Sequence, residues 1–223
     1  MEPSGELKAK EWKLTDDLPS GYSRSSEHYF FSEVQLRVLG IMGSPRLKGN
    51  TDLLLEEALK GAQSQGAEVE KILVDKLNIA PCQECHGCLK DGNCIIRDDM
   101  DDIYPKLLNA DGVIVASPIF FYGLSSQVKA LIDRCQALWA RKYILKWNPP
   151  DSGRKGVFIS VGATRGKQLF DGPILTVKYF FRTIGVRYAD ELLIRGVDKR
   201  SEIKEHPTAL LDAFELGRRL SQE

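Results

Sequence analysis

The stretch Leu36-Arg37-Val38-Leu39-Gly40-Ile41-Met42-Gly43-Ser44-Pro45-Arg46-Leu47-Lys48-Gly49-Asn50-Thr51 decides how the rest of the chain is read. Leu36 to Met42 is a short apolar run closed by Gly43, the pattern of a strand buried on both faces. A helix follows at once. Leu54, Leu55, Ala58, Leu59 and Ala62 give one apolar face between Thr51 and Gln65, and Gly66 stops it. Between strand and helix, Gly43 and Gly49 let the backbone approach a ligand closely. Ser44, Asn50 and Thr51 add hydroxyl and amide donors, and Arg46 adds charge. A helix N-terminus offers free N–H groups and a partial positive charge, which suits this position to a phosphate. The same residues also make a ligand-free turn with an Asn or Thr cap, so the loop alone leaves both readings open. It is neither G-x-G-x-x-G nor G-x-x-x-x-G-K-[ST], which weakens a dinucleotide site and speaks against nucleoside triphosphate hydrolysis.

Outward from this loop the same alternation repeats. Glu68 to Val74 reads as a second strand, Met100 to Asn109 as a helix with Asp98 or Asp99 as its cap, and Gly112 to Ser117 as a third buried strand. Ser125 to about Tyr143 reads as one long helix, Gly156 to Val161 as a fourth strand and Pro173 to Thr183 as a helix. Val186 to Ile194 gives a fifth strand, and Pro207 to Ser221 a last helix with Pro207 in its first turn. Alternating strands and helices imply an α/β fold: a parallel sheet covered on both faces, doubly wound. Five strands suit the flavodoxin-like order 2-1-3-4-5, in which a ligand sits beyond the carboxyl end of the first strand.

Here the sequence resembles a known group. Gly43-Ser44-Pro45-Arg46 with Gly49-Asn50-Thr51 is similar to the phosphate loop of the NADPH-dependent FMN reductase and iron–sulfur flavoprotein superfamily. A second match is Ser117-Pro118-Ile119-Phe120-Phe121-Tyr122-Gly123, leading into Gln127-Val128-Lys129-Ala130-Leu131-Ile132-Asp133-Arg134. The resemblance implies that Pro118, Ile119, Phe120, Phe121, Tyr122 and Gly123 line a bound FMN. Such a ring needs a flat apolar or aromatic wall with backbone groups at its polar edge. A third match, Ser160-Val161-Gly162-Ala163-Thr164-Arg165-Gly166-Lys167, implies that Gly162, Ala163 and Thr164 also meet the flavin. Arg165 or Lys167 is then placed for a phosphate or substrate. The matches run from Leu36 to about Gly217.

Four of the five cysteines, Cys82, Cys85, Cys88 and Cys94, share one short segment, a cysteine-rich insertion spanning 80–99 after the second strand. Their spacing, C-x2-C-x2-C-x5-C, lets one loop fold round a compact metal centre, with Gly87 and Gly92 at its turns. Thiolates are the soft ligands that iron–sulfur clusters select. Structural zinc, or free and transiently bonded thiols, stay open on spacing alone. The segment resembles the compact motif of iron–sulfur flavoproteins. That implies a 4Fe-4S cluster on the four cysteines, exchanging electrons with FMN in a homodimer or homotetramer. His86 is expected beside the ligands rather than among them. Cys135, among Leu131, Ile132 and Leu138, is expected as a buried structural thiol.

Composition adds exclusions. Apolar residues make up 43%, charged residues 28%, and the formal net charge is zero, so nothing points to nucleic acid or an acidic membrane surface. No apolar stretch has the length to span a bilayer, and the absence of a signal-like N-terminus predicts the cytoplasm. Residues 1–33, rich in Ser, Glu, Lys and Asp, are expected as an arm outside the FMN-binding domain of residues 34–223.

The expected activity is a flavin-dependent oxidoreductase or electron-transfer protein with no general acid or base of its own. Reduced ferredoxin or NAD(P)H is the expected donor; a quinone, oxygen or peroxide is the acceptor. A cluster-free NAD(P)H-dependent FMN or quinone reductase, and a non-enzymatic flavodoxin-like carrier or redox sensor, are the alternative readings.

Overall fold

The structure is a computed structural model and describes residues 35–147 and 153–222. The expected arm of residues 1–33 lies outside the described residues. Five parallel strands form one sheet: β1 (Arg37–Met42), β2 (Glu68–Leu73), β3 (Gly112–Pro118), β4 (Lys155–Gly162) and β5 (Arg187–Arg195). They lie in the order β2-β1-β3-β4-β5. Register runs Val38 opposite Gly112 and Val69, so the carboxyl ends of the central strands finish side by side. The five-stranded expectation holds, with boundaries displaced by a residue or so.

Strand alternation sends each sequence to two faces. Val38, Met42, Ile114, Ala116, Val157 and Ile159 point to one side and pack with α1 (Asn50–Gln63) and α7 (Ala209–Leu220). Leu39, Ile41, Val113, Val115 and Phe158 point to the other, toward α3 (Met100–Asn109), α4 (Ser126–Arg134) and α6 (Asp171–Thr183). Phe158 and Phe181 are fully enclosed there, each contributing about 2–3 kcal/mol of burial. Helices α1 and α7 meet backbone to backbone. A Cβ added to Gly217 would stand 1.7 Å from the Ala58 carbonyl oxygen, and one on Gly61 would stand 1.9 Å from that of Phe214. Only hydrogen fits at either crossing.

Two expectations need correction. The helix read as continuous from Ser125 to Tyr143 is in three pieces. Helix α4 ends at Arg134, α5 (Gln136–Trp139) follows after Cys135, and residues Ala140–Ile144 wind as a π turn closed by the Leu145 N–H on the Ala140 carbonyl at 3.0 Å. The apolar stripe of Leu131 and Leu138 runs across the break and conceals it from a periodicity argument. The last helix begins at Ala209 after a bend through residues 206–208, not at Pro207. Among the described residues no helix is long and apolar enough to cross a membrane.

Candidate functional site

The loop after β1 is built by what cannot fit there. Gly43 donates its N–H to Ala116 O at 2.7 Å, and a Cβ on it would meet Val128 Cγ2 at 2.2 Å. Gly49 closes a turn onto Arg46 O at 3.0 Å, where a Cβ would stand 2.8 Å from that same oxygen. Ser44 is buried and its Oγ accepts from the Arg46 N–H at 3.2 Å. Helix α1 starts at Asn50 with Gly49 as its cap, and no side chain takes the free N–H groups of its first turn. The Asn50 side chain is turned the other way. Its Nδ2 donates to Lys199 O at 2.9 Å and its Oδ1 accepts from Ile203 N at 3.1 Å. Arg200 donates to Leu47 O at 2.8 Å, and Ser201 Oγ to Lys48 O at 2.7 Å. The segment after β5 thus braces the loop. The sequence carries no motif for that contribution beyond a polar turn.

A cavity of about 120 Å³ opens at the carboxyl edge of the sheet. The first loop supplies Ser44, Arg46, Gly49, Asn50 and Thr51. The segment after β3 supplies Pro118, Ile119 and Phe120, the loop after β4 Ala163, and the segment after β5 Asp198 and Arg200. Nine of the sequence-expected residues therefore share one wall. Gly162 lies just behind, buried at the end of β4, where a Cβ would strike Leu169 at 2.5 Å. Thr164 is exposed beyond it, and Arg165 lies over Gly196, its guanidinium carbon 2.7 Å from where a Cβ would be.

Phe121, Tyr122 and Gly123 stand apart at a turn tip. Phe120 and Gly123 exchange both backbone hydrogen bonds, at 3.0 and 2.9 Å. The two residues between them have φ of 49° and 60°. This is the geometry of a type I′ turn, which ordinarily takes Asn-Gly; two aromatics there cost of order 1–3 kcal/mol each. Phe121 is fully exposed. The base of the turn is pinned: Ser125 N donates to Ser117 Oγ at 3.1 Å, Ser160 Oγ to Ser117 O at 2.8 Å, and Ser125 Oγ caps α4 through Val128 N.

The cysteine loop sits on the other face of the sheet. Cys82, Cys85, Cys88 and Cys94 all border one cavity of about 560 Å³, also walled by α4, α5 and α6. Cys82 and Cys85 are exposed, while Cys88 and Cys94 are half-buried against the core. Cys88 opens a short helix, α2 (Cys88–Asp91), ended by Gly92 at φ 78°. Burial raises the Cys88 thiol pKa, and the charges of Cys94, Cys82 and Cys85 raise it further. Among the described residues no group of three or more Cys, His, Asp or Glu side chains is closed to metal-binding distance. His86 is exposed at φ 59°. The donor set fits a thiolate-ligated centre in its chemistry: four soft ligands bordering one cavity. Cys135 is buried as expected, its Sγ against Leu131 O at 3.4 Å, and burial raises its pKa.

Two arginines hold this loop. Arg134, fully buried, donates through Nη1 to Ala80 O at 2.9 Å and to the Asp98 carboxylate, and through Nη2 to Ile96 O at 3.1 Å. Ala80 precedes the first cysteine and Ile96 follows the last, so one guanidinium closes the neck. Asp98 completes it, accepting from Ala80 N at 2.9 Å and Met100 N at 3.1 Å. Asp98 thus takes the N–H of the first residue of α3, while Asp99, at the cap position, accepts from Asn78 N at 2.7 Å and gives the helix no side-chain cap bond. Burial works against the Asp98 charge, but Arg134 and the two N–H groups outweigh it and hold the pKa below the usual carboxylate range. At the crown, Arg141 donates from Nε to Gly92 O at 2.8 Å and from Nη2 to Asn93 Oδ1 at 2.7 Å.

Comparison with known proteins fits this geometry. A profile of the NADPH-dependent FMN reductase family matches residues 36–169, more than half of the chain. An iron–sulfur flavoprotein of Archaeoglobus fulgidus is 41% identical over 141 residues, 62% of this chain and 69% of that protein. One of Methanosarcina thermophila is 36% identical over 130 residues, 58% of this chain and 65% of that protein. The chain thus spans about two thirds of the length of each. Among solved structures, an NAD(P)H:quinone oxidoreductase from Methanothermobacter marburgensis superposes with a TM-score of 0.64 at 18% identity, covering 85% of this chain and 98% of that one. That likeness supports the flavodoxin-like fold. The chain belongs to the NADPH-dependent FMN reductase family.

Proposed function

We propose that this family member is an FMN-dependent oxidoreductase that couples the flavin to a 4Fe-4S cluster on Cys82, Cys85, Cys88 and Cys94. The observation that supports the reading is two separate features in one chain: a cavity of about 120 Å³ at the carboxyl edge of the sheet and four cysteines bordering one cavity on the other face. When bound, FMN accepts a hydride and releases single electrons, and a 4Fe-4S cluster carries one electron at a time.

The chain's own residues supply binding and orientation. The first-turn N–H groups of α1, Ser44 and Thr51 would hold the FMN phosphate, with Arg46 adding charge. Pro118, Ile119 and Phe120 would wall the ring, and the backbone from Gly162 to Thr164 would meet its polar edge. Asn50 acts indirectly, fixing the start of α1 to the segment after β5. Phe121, Tyr122 and Gly123 would cover the ring from the turn tip. Arg134 and Arg141 bring the two ends and the crown of the cysteine loop to the same cavity. Reduced ferredoxin or NAD(P)H is the donor in this reading. A quinone, oxygen or peroxide is the acceptor, in a cytoplasmic homodimer or homotetramer.

A cluster-free NAD(P)H-dependent FMN or quinone reductase is the second reading, favoured by the exposure of Cys82 and Cys85. Protein purified without oxygen and assayed for flavin, iron, sulfide and zinc separates the two. About four irons and four sulfides beside one FMN supports the cluster. FMN without iron, with rapid bleaching by NAD(P)H, supports the reductase.

A further inference from the structure

We propose that Arg134 is a positioning residue that sets the electron affinity of the metal centre, presenting a buried positive charge and an N–H donor to its Cys94 corner. This rests on the cluster reading above. A purely structural clamp needs only Nη1 and Nη2, which already hold Ala80, Asp98 and Ile96. That leaves Nε, which is buried and has no hydrogen-bond partner. A buried donor left unused is costly, so its retention calls for a partner.

Of the two cysteines near the carbonyls that Arg134 grips, Cys82 near Ala80 and Cys94 near Ile96, only Cys94 is half-buried against the core. Arg134 and Cys94 border the same cavity, and Arg134 already grips Ile96, two residues beyond that cysteine. The guanidinium is charged and ion-paired with the Asp98 carboxylate.

Competing groups are committed elsewhere. The Tyr104 hydroxyl donates to Arg134 O at 2.8 Å. Lys129, on the same cavity wall, is spent on Asp133 at 2.6 and 2.8 Å. Asp98 engages Nη1, so the arginine's Nε remains for the sulfur. A donor to a ligating sulfur and a nearby cation both favour the more negatively charged, reduced centre, and they act strongly where water is excluded. Cys82 and Cys85 are exposed, so the four corners are not equivalent. Cys88 and Cys94 are the half-buried corners, and Cys94 is the one beside the segment that Arg134 holds.

The test uses the anaerobically purified full chain as wild type, Arg134→Gln, and the charge-balanced Asp98→Asn/Arg134→Gln pair. The pair leaves no carboxylate unpaired, so it carries the readout should the single variant fail to fold. Iron and sulfide are assayed, and the cluster and flavin midpoints are read separately by poised EPR and visible spectra. The expected result is an equilibrium constant for cluster reduction lowered about tenfold in Arg134→Gln, about 59 mV for one electron, and lowered by less in the charge-balanced pair, which loses the donor but no net charge, with the flavin midpoint unmoved. Loaded variants with an unshifted cluster midpoint overturn the proposal alone. A wild type that holds FMN but no iron overturns the cluster reading and the proposal with it.

Discussion

The two loops that follow β1 and β2 are held by opposite means. The flavin-side loop is shaped by absence: Gly43 and Gly49 sit where any side chain would collide with Val128, Ala116 or Arg46. Its shape comes with the sheet and with α1. The cysteine loop is largely exposed and carries little core of its own. It is shaped by two long side chains reaching in from α4 and the π turn, Arg134 at its neck and Arg141 at its crown. The difference teaches that this chain fixes one site through its backbone and the other through removable side-chain staples. The first should tolerate no added volume. The second should lose its contents piecemeal while the fold survives.

The sharpest way to break that contrast is Gly43→Val. The new Cβ would stand 2.2 Å from Val128 and 2.9 Å from a backbone oxygen that cannot yield. We expect about 3 kcal/mol lost in denaturant unfolding and flavin absent from purified protein. A variant that keeps both stability and flavin would show that the loop is not backbone-fixed. Next in size, Cys94→Ser should abolish iron retention and leave FMN stoichiometry intact. Iron and flavin lost together would mean that the two sites are one structural unit. Arg141→Gln removes two bonds to the crown, worth about 1–2 kcal/mol locally. Amide exchange should quicken between residues 88 and 94, with the global unfolding midpoint nearly unchanged. Uniform protection throughout would deny the crown staple.

The smallest expected effect is in pH. The folded Asp98 has its pKa depressed, so its contribution is full above the unfolded value of about 3.9 and is lost as pH falls through the folded value. Thermal scans of metal-free protein should show wild type losing more stability than Asp98→Asn below about pH 4. Parallel curves would remove Asp98 from the neck.

Most of the fold was legible because buried parallel strands advertise themselves. Leu36 to Met42 and Gly112 to Ser117 are short apolar runs bounded by turn residues, and each is followed by a helix pattern. The nine loop residues gathered at the sheet edge were legible through motifs of contiguous sequence. The bracing by Asn50, Arg200 and Ser201 was not, because it joins positions 149–153 residues apart through backbone carbonyls, which every residue possesses. The break at Cys135 was hidden because the apolar stripe continues through it. Arg134 did leave a signal. It stands three residues after Leu131 and four before Leu138, on the stripe that faces the core, and a cation there requires a partner.

The glycine crossing of α1 and α7 has a consequence for the order of events in synthesis. Helix α1 carries the loop of residues 43–51 at its start, yet one flank of it is completed by a helix that the ribosome makes some 150 residues later. During most of translation α1 has no mate at Gly61, and the segment that braces its loop, residues 198–203, has not yet been made. Cofactor capture is therefore expected late in synthesis. A ribosome-bound chain stalled before residue 198 emerges is expected to show free-flavin fluorescence, and quenching should begin only once α7 has cleared the exit tunnel.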